Sequence, residues 1–433
     1  MRSAGANDSR QPLTVIEQIS WLIVALTTIS LPLILSPSVK DSFRVPKELF
    51  LRASGIALFA LAICEWIFDG GVRKKRPPRS LIIVLGTMLL WSVVITLTST
   101  NRTLSVLSLV NLIVAAMFFL ATYRGAQDRS LKVLYFALVP ALVNALIAIA
   151  QATGVWTPIP LEIAYGQRLS TTALLGNPDD VGMFLMAPAV AAAALAVVSK
   201  RHRWPAIFLA LIFTAGIIAS ETMGAVIAVG VGIFLLAFKM RPWPAVVGGT
   251  LCVLIGLTAV RFSPQRWSIL RSDMVSAAHG DIDPFLSGRV PAFLAAWRMF
   301  RQHPVIGVGP GCFPFQYFDE KIAVEKEHPW LLNRSVANFG EAHNEHLQCL
   351  AEGGLPAYIV FIAALVVLSM ITFRAAPSHV SETSAFARAM ALSLAASVFT
   401  LALSSFPFHV AAATTNILFL TAVTTAWGND ARD

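Results

Sequence analysis

Charge is what this chain has little of. Only 13% of its 433 residues are charged while 56% are hydrophobic, and the mean hydropathy is +0.69. Such a balance excludes a soluble globular domain, and the near balance of basic and acidic residues in the long polar loop at 261–354 excludes a polyanion-binding patch there. Cysteine is scarce as well: there are four, Cys64, Cys252, Cys312 and Cys349, and none falls in a metal-cluster spacing. That excludes a disulfide-built scaffold and a zinc module. Cys312 and Cys349 share one long polar loop, so a single disulfide between them stays open for an oxidising compartment. Internal repeats, low-complexity tracts and a flexible interdomain linker are also missing. Residues 1–433 therefore read as one integral membrane domain.

What is present is a series of apolar runs of membrane length. A bilayer core takes about 20 apolar residues per helix, and about twelve such runs occur, near 17–36, 48–69, 80–98, 104–122, 131–151, 180–198, 205–220, 222–239, 244–260, 355–373, 387–405 and 408–427. The expected fold class is all-α, a polytopic membrane protein. The first run is too long for the apolar part of a signal peptide and lacks a small-residue cleavage site, so it reads as a retained helix.

The net charge of +9 follows topology. Arg73 to Arg76, Arg124, Arg129, Lys132, Lys200, Arg201, Arg203, Lys239, Arg241 and Arg374 all fall in alternate loops, the arrangement of a cytoplasmic face. Lys40, Arg44, Lys47, Arg102 and Arg168 fall on the other side. Both termini are then expected in the cytoplasm. The one large polar excursion, residues 261–354 between the ninth and tenth runs, is expected outside it.

Two helices are legible in that loop. In the first, Pro291 suits an early helical position, Phe293, Ala296, Trp297 and Phe300 form an apolar face, and Pro304 ends it; Arg289 is then at or just before its start. The second contains Glu341-Ala342-His343-Asn344-Glu345-His346-Leu347-Gln348. At 100° per residue Glu341, Glu345, Gln348 and Glu352 share a stripe expected to face water, while His343, Leu347 and Leu350 face the bundle and His346 lies at the border. A further outer loop, about 152–179, holds Arg168 and the turn Gly176-Asn177-Pro178.

Arg168, Arg289 and His343 are the candidate site. Arginine stays charged and its planar fork binds phosphate oxygens bidentately, so two of them suit a diphosphate and the charge it gains as a leaving group, with no metal required. Histidine, with an ordinary pKa of about 6.5, can accept a proton from a sugar hydroxyl. Each has a plainer reading, as a headgroup contact for the arginines and as a core residue for the histidine. His343, His346 and a neighbouring glutamate do not have the His-Glu-x-x-His spacing of a metal site, and Gly307-Val308-Gly309-Pro310-Gly311 lacks the Lys-Ser/Thr of a nucleotide loop.

These segments, taken together, are familiar. Gly288-Arg289 with Trp297, then Pro304 through Gly311, then Ala342 through Gln348 and Glu352-Gly353-Gly354, resemble the O-antigen ligase and O-antigen polymerase superfamily in order and spacing. Arg168 followed by Gly176-Asn177-Pro178 resembles that family's arginine-bearing outer loop. The resemblance implies a transferase of lipopolysaccharide biosynthesis in a bacterial inner membrane, with its site on the periplasmic face. It implies a glycan moved from undecaprenyl diphosphate to a lipid A-core acceptor, with inversion and without metal, nucleotide or other cofactor. Its partners would be those two substrates and membrane lipids, not nucleic acid.

Carried over, Arg168 and Arg289 grip the diphosphate and His343 orients or deprotonates the acceptor, with Asn344, His346 and Asn177 in substrate contact. Ser220-Glu221-Thr222-Met223, where many members have an arginine, and Cys312, where a polar residue is common, depart from the pattern. A polymerase extending lipid-linked repeats and a non-enzymatic transporter of lipid-linked sugars are the alternatives. The shortage of charge within the spans disfavours the transporter.

Overall fold

The computed structural model describes residues 14–68, 77–127, 129–157, 171–240, 264–332, 338–373 and 381–430. Among these there is no strand. The helices are α1 (Val15–Ser30), α2 (Arg44–Phe68), α3 (Arg79–Leu97), α4 (Arg102–Ala126), α5 (Tyr135–Ala152), α6 (Pro178–Val198), α7 (Arg203–Ala219) and α8 (Met223–Met240). After them come α9 (Pro264–Ala278), α10 (Val290–Gln302), α11 (Phe313–Glu327), α12 (Glu345–Phe373), α13 (Glu382–Ala402) and α14 (Ala411–Asp430). Eight segments among the described residues are long and apolar enough to cross a membrane, and α7 and the apolar stretch of α8 are shorter. The expected span at 244–260 lies outside the described residues, as does Arg168.

The ends of the helices are set by local chemistry. At α1 the Thr14 hydroxyl accepts from Glu17 N and the Glu17 carboxylate accepts from Thr14 N, so each satisfies a donor the helix leaves open. Asn101 caps α4, and Asn177 caps α6 by accepting from Asp179 N at 2.9 Å, with Pro178 in the first turn.

Side-chain size then decides which helices lie inside. The most apolar window of α6 is 78% buried and that of α3 only 22%. The alanine-rich run Ala187 to Ala196 lets α5, α7, α8, α13 and α14 approach α6 closely. Leu22, Leu26, Ile56, Phe59, Ile83 and Leu90 on α1 to α3 face outward instead, as apolar side chains can where the surroundings are lipid. Trp427 on α14 is buried and donates from Nε1 to Ala126 O, closing the C-terminal helix onto α4.

A second, smaller core lies in the polar segment. Ala292, Ala295, Ala296 and Met299 of α10 pack with Phe313, Tyr317 and Val324 of α11. Arg289 is the residue before α10, with Pro291 in the first turn, and the helix stops at Gln302. The inward face is not the expected one: Trp297 is 46% exposed, and the small residues point in because they allow α11 and α12 to close on α10.

Candidate functional site

Because successive helices alternate in direction, the starts of α2, α6, α12 and α14 and the ends of α1, α5, α7 and α13 gather at one end of the bundle. Cross-links among their loops hold that end together. The buried ammonium of Lys47 donates to Ile34 O, Phe43 O and Leu174 O at 2.7, 3.1 and 2.8 Å, tying three chain segments with one charge. Thr100 N donates to Val308 O. Four non-glycine residues among those described have positive φ: Ala173, Glu221, Ser287 and His343. Ala173, Glu221 and His343 lie in these loops and Ser287 in the turn before α10, and left-handed backbone at L residues persists only where surrounding contacts hold it.

Arg289 is gripped from two sides. Its Nη2 donates to Asp179 at 2.8 Å and its Nη1 to Ser404 O at 3.0 Å. The next residue of α6, Asp180, is almost wholly buried and takes Arg44 bidentately, through Nε at 3.2 Å and Nη2 at 3.1 Å. Arg44 Nη1 reaches Glu341 at 3.2 Å. Consecutive aspartates at one helix start thus hold two guanidinium groups, where the N-terminal dipole also favours their negative charge.

His343 lies outside α12. The helix begins at Glu345, and His343 has φ of 52°, so the helical projection from Glu341 does not apply. Its ring meets the Phe406 ring edge-on at 4.7 Å and that of Phe339 at 5.4 Å. Arg44 stands 5.7 Å from the same Phe406 ring. Asn344 is the hinge between histidine and helix, accepting from Leu347 N at 3.0 Å and donating to Leu403 O at 2.9 Å.

The stripe expected to face water faces inward: Glu345, Gln348 and Glu352 are 7%, 2% and 9% exposed. Buried carboxylates need partners, and each has them. Glu345 accepts from Phe408 N and pairs with His409 Nδ1 at 3.3 Å. Glu352 accepts from Gly311 N at 2.7 Å and Phe313 N at 3.1 Å, and Gln348 joins the two acids through Nε2, near both Glu352 and His409.

Partial desolvation opposes charge on His409, whose side chain is about one-third exposed, but the hydrogen-bonded Glu345, then Glu352 and Glu341, outweigh it and raise its pKa from 6.5 to about 9. The Gln348 amide keeps its oxygen on Ala342 N and so turns its NH2 toward His409 Nε2, which favours a neutral ring. One hydrogen bond of about 1 kcal/mol does not offset three carboxylates.

The glycine-rich turn is explained by α12. At Gly354, with φ of 70° and ψ of −175°, that helix breaks. The carbonyls of Ala351 and Glu352 accept from Val308 N and Gly309 N, and Leu355 N donates to Pro304 O at 2.8 Å. A Cβ on Gly307 would sit 2.3 Å from the Glu352 carbonyl, and one on Gly354 only 2.1 Å from Val305 O. The turn fills the break backbone to backbone, which side chains would prevent.

A cavity of about 370 Å³ opens at this end, lined by His343, Asn177, Arg44, Asp180 and Glu341 with Phe406 among its apolar walls. Of the residues expected in the site, His343 and Asn177 line it. Arg289 stands next to it in the network through Asp179 and Ser404, and Asn344 positions His343. His346 is turned into the bundle, against Tyr358, Phe361 and Phe399, with Nε2 3.0 Å from Phe399 O. Cys312 and Cys349 are free thiols, so the open disulfide is not formed.

Sequence reasoning missed the 403–410 loop and the roles of Arg44, Asp179 and Asp180. The loop carries no charged residue besides His409. The aspartate pair beside Pro178 was the one visible signal, because acids in a first helical turn can hold cations as well as cap.

Residues 207–362 match the family model described as O-antigen ligase. Comparison with curated proteins gives no match. The matched stretch contains Arg289, the glycine-rich turn, His343 and Glu352.

Proposed function

We propose that this chain, whose residues 207–362 match the O-antigen ligase family model, is a glycosyltransferase that moves a lipid-linked glycan to the lipid A-core of lipopolysaccharide. The supporting observation is the meeting of Arg289 and His343, from separate segments, on the one loop that contains Ser404 and Phe406. The donor is a glycan on undecaprenyl diphosphate. Arg289, with Arg168 from the loop before α6, binds the diphosphate and carries the charge a metal would otherwise carry as it leaves.

The acceptor hydroxyl oxygen forms a bond to the anomeric carbon. The bond from that carbon to the diphosphate oxygen breaks, its electron pair leaving with the diphosphate. The hydroxyl proton passes to the His343 imidazole. Attack opposite the leaving group inverts the anomeric centre. In this reading the end of the bundle holding the site faces the periplasm and both termini the cytoplasm, which is supported by the basic residues Arg124, Arg129, Lys200, Arg201 and Arg203 lying toward the other end.

Replacing His343 by Ala tests the reading. General-base assistance contributes about 10²- to 10⁴-fold, so transfer by purified protein should fall at least a hundredfold while membrane insertion persists. Normal transfer by a well-expressed His343→Ala protein would overturn the role given to His343.

A further inference from the structure

Charge at the cavity decides which half of the reaction it holds. Three lining carboxylates, Asp41, Asp180 and Glu341, face one lining guanidinium, Arg44, among the described residues. That guanidinium is already bound by two of them, bidentately by Asp180 and singly by Glu341. Among the described residues, a diphosphate placed here would meet more carboxylate than guanidinium charge in a partly desolvated site, where like charges a few ångströms apart repel strongly. Arg289, the cation that the transferase reading gives to the diphosphate, pairs with Asp179 and does not line the cavity. Its bonds to Asp179 and Ser404 O anchor it at the neighbouring residue of α6.

The same lining suits a sugar. Carboxylates accept from hydroxyl groups, the exposed Asn338 amide can both donate and accept, and the partly exposed Phe339 ring offers an apolar surface to sugar C–H groups. The volume falls within the range of small-molecule sites. His343 stands in the same wall, so a hydroxyl held here lies beside the imidazole.

We infer that this cavity is the acceptor-saccharide subsite, with Glu341 and Asn338 as its hydroxyl-binding groups, and that the donor diphosphate binds outside it at Arg289. The inference rests on the transferase reading above and names where the second substrate sits. Arg44 is then a positioning residue, fixing the Glu341 carboxylate toward bound sugar. Glu341 is about one-fifth exposed, so its free oxygen lone pairs are reachable.

The test uses the full chain in detergent, with undecaprenyl-diphosphate-linked glycan and lipopolysaccharide core lacking O-antigen, each varied separately. Replacing a charged hydrogen-bond acceptor by a neutral one, or removing a neutral hydrogen bond, corresponds to up to about a tenfold loss of binding. Glu341→Gln and Asn338→Ala should therefore raise the acceptor KM by up to about tenfold and leave the donor KM unchanged. Arg289→Lys should do the reverse. A donor KM that moves in either direction in Glu341→Gln, including tighter donor binding on removal of the charge, overturns the assignment. Asn338 is exposed, so its variant gives the answer even if Glu341→Gln does not fold.

Should the wild-type protein transfer nothing, the transferase reading fails while the subsite is still decided by equilibrium titration. Core oligosaccharide should bind more weakly to Asn338→Ala than to wild type, and farnesyl diphosphate equally to both. Weaker farnesyl diphosphate binding would place the diphosphate in the cavity and sink the proposal.

Discussion

Glu352 offers the sharpest check on the architecture around the site. Its carboxylate, 9% exposed, accepts from Gly311 N at 2.7 Å and Phe313 N at 3.1 Å, the two amides that turn the chain into α11. Alanine at this position leaves both amides without an acceptor in a buried setting. Each unsatisfied donor costs about 1–3 kcal/mol, so the pair sums to about 4 kcal/mol. That is a large share of the 5–15 kcal/mol that typically separates folded from unfolded.

Glutamine keeps one acceptor oxygen but sets its NH2 against the other amide, and should cost about half as much. Thermal unfolding in detergent should therefore rank wild type above Glu352→Gln above Glu352→Ala. Amide exchange should accelerate in residues 305–313, and transfer should fall with it, because this turn follows α10, the helix that Arg289 precedes. Equal midpoints for the three proteins, or unchanged exchange at 305–313, would refute the account of Glu352 as the anchor of the turn.

Two further expectations follow from the same region. Gly354→Ala imposes on an L residue a positive-φ, extended-ψ backbone that is essentially reserved for glycine, about 1–3 kcal/mol by itself, and drives a Cβ into Val305 O; the thermal midpoint should drop by more than that strain alone implies, and an unchanged midpoint would contradict the backbone contact. For His409 the folded pKa of about 9 lies above the unfolded value of about 6.5. The stability it contributes is fully present below about pH 6.5 and is lost as pH rises through 9. Midpoints measured from pH 6 to 10 should show this loss in wild type and not in His409→Asn, and parallel curves would remove His409 from the network.

The helical segments were legible because a bilayer asks little beyond length and apolarity of each run. Pro291 and Pro304 marked α10 for the same kind of local reason, one suiting a first turn and the other ending it. Glu345, Gln348 and Glu352 were misread because periodicity shows which residues share a face, not what the face touches. Acidic residues beside an outer loop point to water unless partners are waiting inside. Here the partners are His409 and the backbone amides of a glycine-rich turn from an earlier part of the chain.

By itself, then, the sequence determined an all-helical membrane protein and Arg289 as the residue at the entry to α10, and it singled out a histidine and arginines as candidates for glycosyl transfer. Those properties depend on local hydropathy, proline and side-chain chemistry. Only the tertiary structure decided that Arg44 and Arg289 are held by adjacent aspartates, that His343 leaves the helix and meets Phe406, and that His346 turns away from the cavity. Partner choice among charged groups depends on which chain ends the packing of small alanines around α6 brings within hydrogen-bond reach. No spacing along the chain encodes that distance.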